Sequence, residues 1–289
     1  MNELTYFVTG ASGQLGRIAV SLLASRKLRV VAGARNPQKL EDLAALGVEV
    51  RLCDYDKPDT VFQALEGVDR LLLVSSSEVG KRVAQHRTVI HAAHAREISL
   101  VVYTSILQAA TSPLLLASEH KATEEILAEA GMSHVLLRNA WYSENFQMGV
   151  PTALEHGAVY TAAGDGRFSP ATRQELAEGA VAALTAAATQ PETIYELAGS
   201  ASFSMPELAA TLSLRSGRKV DCVNMAEGDY AAMLKNVGVP AGFADILAQS
   251  EVMAEQGAHS DESRALERLI GRAPLSLSEL VDQWITPIN

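Results

Sequence analysis

The chain has 289 residues, 48% of them hydrophobic, with 34 acidic against 24 basic side chains and a net charge of −10. The apolar fraction excludes a disordered chain, and the length suits one large domain or two lobes. The negative balance argues against nucleic-acid partners, which want a basic face, but not against one anionic cofactor held at a local cluster of positive charge.

No stretch reaches the roughly 18–20 apolar residues of a membrane helix, so no membrane span is expected. The opening MNELTYFVTGASG has neither the charged start nor the apolar stretch of a secretory leader and predicts a strand running into a glycine turn. Cys53 and Cys222 are too few and too far apart for a disulfide framework or a metal knuckle. They predict two thiols in a reducing cytoplasm and no metal site.

Tyr6–Thr9 predicts the first strand and Gln14–Ser25 a helix whose Leu15, Ile18, Ala19, Leu22 and Leu23 share one stripe. Arg29–Ala34 follows as a strand, then a helix over Pro37–Leu46 with Pro37 in its first turn and Gly47 as its stop. Val48–Cys53, Asp69–Val74, Leu100–Thr104 and Ser133–Arg138 read as further strands. Helices over Thr60–Leu65, Val79–Arg96 and Ser118–Ala130 separate them. Apolar strands each followed by a helix indicate an α/β protein with a doubly wound parallel sheet. Its ligands belong at the carboxyl ends of the strands.

The rhythm changes after Asn139. Trp141–Phe146 is aromatic and polar, and Gly157–Pro170 predicts a hairpin or loop. Thr172–Ala188 predicts an alanine-rich helix opened by Thr172-x-x-Glu175, and Ile194–Leu197 a seventh strand. Ser204-x-x-Glu207 and Ser276-x-x-Glu279 open two more helices with capping boxes.

The strongest site is Gly10-Ala11-Ser12-Gly13-Gln14-Leu15-Gly16, which leaves a strand and opens an amphipathic helix. Gly10 permits the tight turn, Gly13 a close backbone approach to a pyrophosphate, and Gly16 close helix–strand packing. The helix N-terminus offers N–H groups and a positive dipole end to phosphates. The G-x-x-G-x-x-G spacing resembles extended and atypical short-chain dehydrogenase/reductases. At the end of the second strand an NAD-preferring fold places an acid; here Arg35 stands there, with Lys39 one helical turn on. A guanidinium suits a 2′-phosphate, so NADPH is the expected cofactor. Asp54, after the third strand, is placed to accept from an adenine amino group. Ser75, Ser76 and Ser77, after the fourth, fit beside ribose and nicotinamide.

The Tyr-x-x-x-Lys pair with which many such enzymes protonate their substrate is missing from the helix after the fifth strand. That helix reads Ser118-Glu119-His120-Lys121-Ala122-Thr123-Glu124. His120 and Glu124 share a helical face, either as part of a site or as an exposed i,i+4 pair. Ketone reduction and epimerisation need a positioned acid or base. A quinone accepts hydride to give a stabilised phenolate-like anion and can collect its proton from water or a weak donor.

TGASGQLG (9–16), ARNPQKL (34–40), LLLVSSSEVGKRVAQHRTVI (71–90), YTS (103–105), TSPLLLASEH (111–120), LLRNAWYSENF (136–146), ALEHG (153–157), AAGDG (162–166), ATR (171–173), YELAG (195–199) and ERLIG (267–271) together resemble the NmrA-like atypical short-chain dehydrogenase/reductase family. Within it, they are most similar to bacterial NADPH-dependent quinone oxidoreductases of type 2. The resemblance implies an NADP-binding Rossmann-type domain at 1–139 and 170–198 and a smaller C-terminal α/β lobe, the substrate-binding lobe, at 140–169 and 199–289. It implies hydride transfer from NADPH to a quinone bound beside the nicotinamide. Asn139, Ala140, Trp141, Tyr142, Ser143 and Glu144 would lie along the nicotinamide half, and Arg173 would reach the cofactor. Trp141 and Tyr142 suit stacking on a planar quinone, and Trp141 equally suits simple packing. Tyr142, His120 or water remain open as proton donor. Lys121 departs from the family pattern. Two other readings stand beside this one, an NADP(H)-binding redox sensor and a reductase of aromatic dyes. The expected assembly is a monomer or homodimer.

Overall fold

The computed structural model describes residues 4–186 and 193–286. In chain order the regular elements are β1 (Thr5–Val8), α1 (Gln14–Ser25), β2 (Arg29–Ala34), α2 (Glu41–Ala45), β3 (Glu49–Leu52), α3 (Pro58–Ala64), β4 (Arg70–Leu73), α4 (Arg82–Ala95), β5 (Leu100–Ile106), α5 (Ala117–Glu129) and β6 (His134–Asn139). Next come α6 (Ser143–Gln147), α7 (Val150–His156), β7 (Ala158–Thr161), β8 (Arg167–Phe168), α8 (Arg173–Thr185), β9 (Ile194–Leu197), β10 (Phe203–Ser204) and α9 (Met205–Ser216). The last are β11 (Asp221–Asn224), α10 (Glu227–Asn236), α11 (Ala241–Val252), α12 (Ala265–Ile270) and α13 (Leu277–Ile285).

The chain divides into two units, one of Met1–Ala109, Ser118–Asn139 and Arg173–Tyr195, the other of Ala110–Ala117, Ala140–Thr172 and Glu196–Asn289. A seven-stranded sheet ordered β3-β2-β1-β4-β5-β6-β9 runs through the first unit. Its strands pair in parallel from β3 to β6. This is the Rossmann-type α/β order, whose direction of winding reverses next to β1. The apolar strands form it because both faces are covered. On one face Phe7, Val31, Leu71, Leu73, Val101 and Tyr103 bury against Val61 and Leu65 of the α3 region, Val89 and Ile90 of α4, and Leu127 of α5. On the other lie α1 and α8, packed on each other and on the central strands. Small residues on α8 (Ala177, Gly179, Ala180, Ala183) allow that approach and are buried.

The second unit has its own apolar centre. Phe146, Phe168 and Phe203 meet edge to face or tilted, at ring separations of 5.3, 5.3 and 6.5 Å. Both capping boxes form, with Ser204 accepting from the Glu207 N–H and Ser276 from the Glu279 N–H.

Three expectations are corrected. The single helix over Pro37–Leu46 is a 3-10 turn (Pro37–Leu40) followed by α2; Asn36 Oδ1 caps the turn from the Gln38 N–H at 3.1 Å. The long helix begins at Arg82 because Glu78–Lys81 closes a turn first, Lys81 N–H donating to Glu78 O at 3.1 Å, with Gly80 at φ +87°. Gly157–Pro170 contains two strands that do not pair with each other. β7 runs parallel to β11, and β8 antiparallel to β10, so both partners come from far downstream. The helix expected over Thr172–Ala188 is α8 as far as Thr185; Ala187 and Ala188 lie outside the described residues. No helix of the described residues is long and apolar enough to cross a membrane.

Candidate dinucleotide site

The carboxyl ends of β1, β2 and β4 meet around the glycine turn. Thr9 ties two of them together: its hydroxyl donates to Leu72 O at 3.2 Å and accepts the Val74 N–H at 2.9 Å. Gly10 then turns with φ +57°, a left-handed conformation that favours glycine. Ala11 N–H reaches Gly33 O at 3.0 Å, fixing the turn to β2. A Cβ on Gly16 would sit 2.5 Å from Gly10 O and 2.9 Å from Gly10 C, so only glycine lets α1 approach its own turn.

Gly33 repeats this on β2, where a Cβ would strike the fully buried Phe7 ring at 2.5 Å. No side chain caps α1 and no acid occupies its first turn. The N–H groups of Gln14, Leu15 and Gly16 therefore lack partners inside the helix and face an end of positive potential. Ser12, Gly13 and Gln14 are exposed, whereas Ala11 and Leu15 are buried and offer only backbone.

Arg35 is exposed at the end of β2, ion-paired through Nη1 with Glu78. The other Glu78 oxygen is 3.3 Å from Lys81 Nζ. The Lys81 hydrogen bond and then the Arg35 charge hold the Glu78 carboxyl below its ordinary range. Lys39 is exposed, and its carbonyl accepts from Arg17 Nη2 at 2.6 Å. Asp54 is engaged locally, accepting the Asp56 N–H at 3.2 Å and lying 3.3 Å from Lys57 Nζ.

The turn after β4 is bound on every side. Ser75 N–H donates to Thr104 Oγ1 at 2.9 Å, and Ser76 N–H to His86 Nε2 at 2.9 Å. Ser76 Oγ donates to Gln85, Arg82 Nε donates to Ser76 O at 2.7 Å, and Ser77 is exposed. Burial, reinforced by the Arg82 charge, pushes His86 down to about 3, so it is neutral at pH 7. Its tautomer follows from the neighbours. Nε2 accepts from a backbone amide, so Nδ1 carries the proton and donates to Thr123 Oγ1 at 3.0 Å. Thr123 passes its own hydrogen to Glu119 O at 2.9 Å.

His120 and Glu124 do not pair, nor are they exposed. His120 is buried, its Nδ1 2.8 Å from the Tyr103 hydroxyl. Burial, then the charge of Arg82 and the neighbouring His86, holds it well below the usual histidine range. Glu124 instead grips Arg138 through two hydrogen bonds of 3.0 and 2.7 Å and accepts from Ser105 at 2.6 Å. His120 therefore meets β5 alone, whereas Glu124 bridges β5 and β6.

Asn139, at the end of β6, is buried, and its Oδ1 has no hydrogen-bond partner among the described residues. Such an orphaned acceptor, the uncapped α1 and the Gly10–Gly16 cradle together fit a dinucleotide, whose amide and phosphates would complement them. Arg173 opens α8 and is half-buried.

In the second unit Ala140 N–H donates to Leu197 O at 2.8 Å, and Tyr142 bridges to Ala171. Ser143 is buried and begins α6; Trp141, Tyr142 and Glu144 are half-buried. Trp141 meets the His259 ring edge-on at 5.1 Å.

Sequence reasoning passed over Thr9, Thr104, His86, Arg82 and Glu78. The signal available was a hydroxyl just after β1 and another in the C-terminal half of β5; the histidine and the glutamate carried none, since their partners lie on other elements.

A parallel sheet with an uncapped helix N-terminus at its switch point defines a dinucleotide-binding protein. The chain belongs to the NAD(P)H-binding family, whose model matches residues 10–187. It is 46% identical over 284 residues to quinone oxidoreductase 2 of Escherichia coli (strain K12), covering 98% of this chain and 99% of that one. Among solved structures it is similar to the Escherichia coli NADPH-dependent quinone oxidoreductase complexed with NADPH, with a TM-score of 0.92 and 44% identity over 97% of this chain and all of that one. It is also similar to the Citrobacter sp. triphenylmethane reductase complexed with NADP(H), with a TM-score of 0.91 and 34% identity over the same shares. The resemblance carried by the segments quoted above thus extends over nearly the whole chain.

Proposed function

We propose that this protein is an NADPH-dependent oxidoreductase acting on quinones. The observation that carries the reading is its near full-length likeness to a quinone oxidoreductase, joined to an α5 that offers no Tyr–Lys pair. Bound NADPH supplies the hydride. Within Gly10–Leu15 the N–H groups of Ser12, Gln14 and Leu15 would face the pyrophosphate, those of Ala11 and Gly13 being taken by Gly33 O and Gly10 O, with Arg35 and Lys39 on the 2′-phosphate. Asp54, Ser75–Ser77 and Arg173 complete the cofactor contacts, and Asn139 Oδ1 takes an amide N–H. Ala140, Ser143 and Glu144 are assigned to the nicotinamide half, with Trp141 and Tyr142 against the planar acceptor.

His120, neutral at pH 7 and hydrogen-bonded to the Tyr103 hydroxyl, carries no imidazolium proton to give, so the proton is assigned to Tyr142 or water. The domain roles, an NADP-binding part at 1–139 and 170–198 and a substrate part in the remainder, a monomeric or homodimeric assembly and a cytoplasmic setting belong to the same reading. Purified protein should oxidise NADPH in the presence of a simple benzoquinone, in preference to NADH; absence of turnover with every quinone tried overturns the reading.

A second reading, reduction of aromatic dyes, draws on the likeness to the triphenylmethane reductase. A panel of quinones and cationic dyes assayed side by side separates the two. Tight NADPH binding without any acceptor-dependent turnover would point instead to a redox sensor.

A further inference from the structure

Glu78 lies in SSSEVG, the segment after β4, and has no part in the roles assigned above. Its carboxylate is shared between two cations, Arg35 through one oxygen and Lys81, 3.3 Å from the other. Its backbone is fixed on both sides: the Glu78 N–H donates to Ser76 Oγ at 3.2 Å, and its carbonyl accepts from Lys81 and Arg82 at 3.1 and 3.0 Å. Arg82 in turn is buried and anchored to Ser76 O and Glu119. The acid therefore reaches Arg35 from a turn held by backbone hydrogen bonds, with its side chain set between Arg35 and Lys81. Arg35 is 62% exposed and Glu78 28%. An exposed pair of this kind holds with a bias of about fivefold at most. A 2′-phosphate, carrying about −1.5 to −2 at pH 7, would have to displace it, at a cost and against the nearby negative charge.

We propose that Glu78 is an internal competitor of the 2′-phosphate for Arg35, with Lys81 as the partner that receives its carboxylate when the phosphate arrives, and that this triad sets how strongly the site prefers NADPH to NADH. The inference rests on the assignment of Arg35 to the 2′-phosphate. NADH carries a hydroxyl at that position and leaves the Arg35–Glu78 pair intact, so the competition falls on one cofactor alone.

The test is calorimetric binding of NADPH, NADH, 2′,5′-ADP and 5′-AMP to the full-length protein and its Glu78→Gln, Glu78→Ala and Arg35→Ala variants. Glu78→Gln and Glu78→Ala should tighten NADPH and 2′,5′-ADP by about two- to fivefold and leave NADH and 5′-AMP unchanged. Weaker binding of all four ligands, the result of a merely structural turn residue, overturns the proposal, as does no change in the ratio of phosphorylated to unphosphorylated ligand. If Arg35→Ala keeps the wild-type ratio, the assignment of Arg35 itself falls and takes the proposal with it. If Arg35→Ala abolishes the ratio while the Glu78 variants leave it alone, only the role of Glu78 is refuted.

Discussion

Two glycines fix what the residues around the cofactor turn can be. Gly16→Ala would place a methyl 2.5 Å from Gly10 O, and Gly33→Ala would drive one into the Phe7 ring. Backbone blocks the first and a fully buried aromatic the second. Each is expected to cost about 1–3 kcal/mol, read as a lower midpoint in denaturant, with Gly16→Ala also weakening NADPH binding through the shifted turn. Arg35→Ala should raise the KM for NADPH at least tenfold more than that for NADH, an estimate of about 1.5–3 kcal/mol for a lost charged hydrogen bond; an equal effect on both cofactors would remove the 2′-phosphate role. At this scale the sequence was informative where chemistry is carried by the backbone. Gly10, Gly16 and Arg35 stand at fixed offsets from a strand end, and offsets can be read off. The pairing of Arg35 with Glu78 joins the ends of β2 and β4, and nothing local announces it.

Among the elements, α5 was the least legible. Its H-x-x-x-E spacing reads as one helical face, yet His120 meets β5 through Tyr103, whereas Glu124 reaches both β5, through Ser105, and β6, through Arg138. Helical periodicity tells which residues are neighbours on the helix and not which strand each one meets. The consequence is measurable. Glu124 and Arg138 form a buried pair, with side chains 8% and 12% exposed. Glu124→Gln or Arg138→Met alone leaves one charge buried and should cost about 3–5 kcal/mol. The double change Glu124→Leu, Arg138→Met should recover much of that loss in the same unfolding assay. β7 and β8 failed as a hairpin for a related reason: short strands take their register from whichever partner is available, and β11 and β10 come much later in the chain. By contrast β1, β2, β4, β5 and β6, apolar and central, were readable almost residue by residue because two-sided burial demands that composition.

For the molecule as a whole, each unit contains a histidine buried in its neutral form: His86 in the first, pushed down to about 3, and His259 in the second, to about 4, both chiefly by burial. An unfolded histidine titrates near 6.5. Between about pH 6.5 and those lower values the unfolded chain binds more protons than the fold, so stability falls as pH falls. From neutral pH to pH 5 each should remove about 2 kcal/mol. His86→Gln and His259→Gln should each flatten the slope of stability against pH over that window. Glu251, whose carboxyl burial pushes up, works in the opposite sense, losing its contribution as pH rises. The turn after β4 has a consequence in time. Its amides at Val74, Ser75 and Ser76 are already taken by Thr9, Thr104 and His86. Little backbone remains to be ordered when a dinucleotide arrives. Association followed by stopped-flow fluorescence should give one exponential whose rate rises linearly with dinucleotide concentration, with no slow plateau of the kind a loop closing over its ligand would impose.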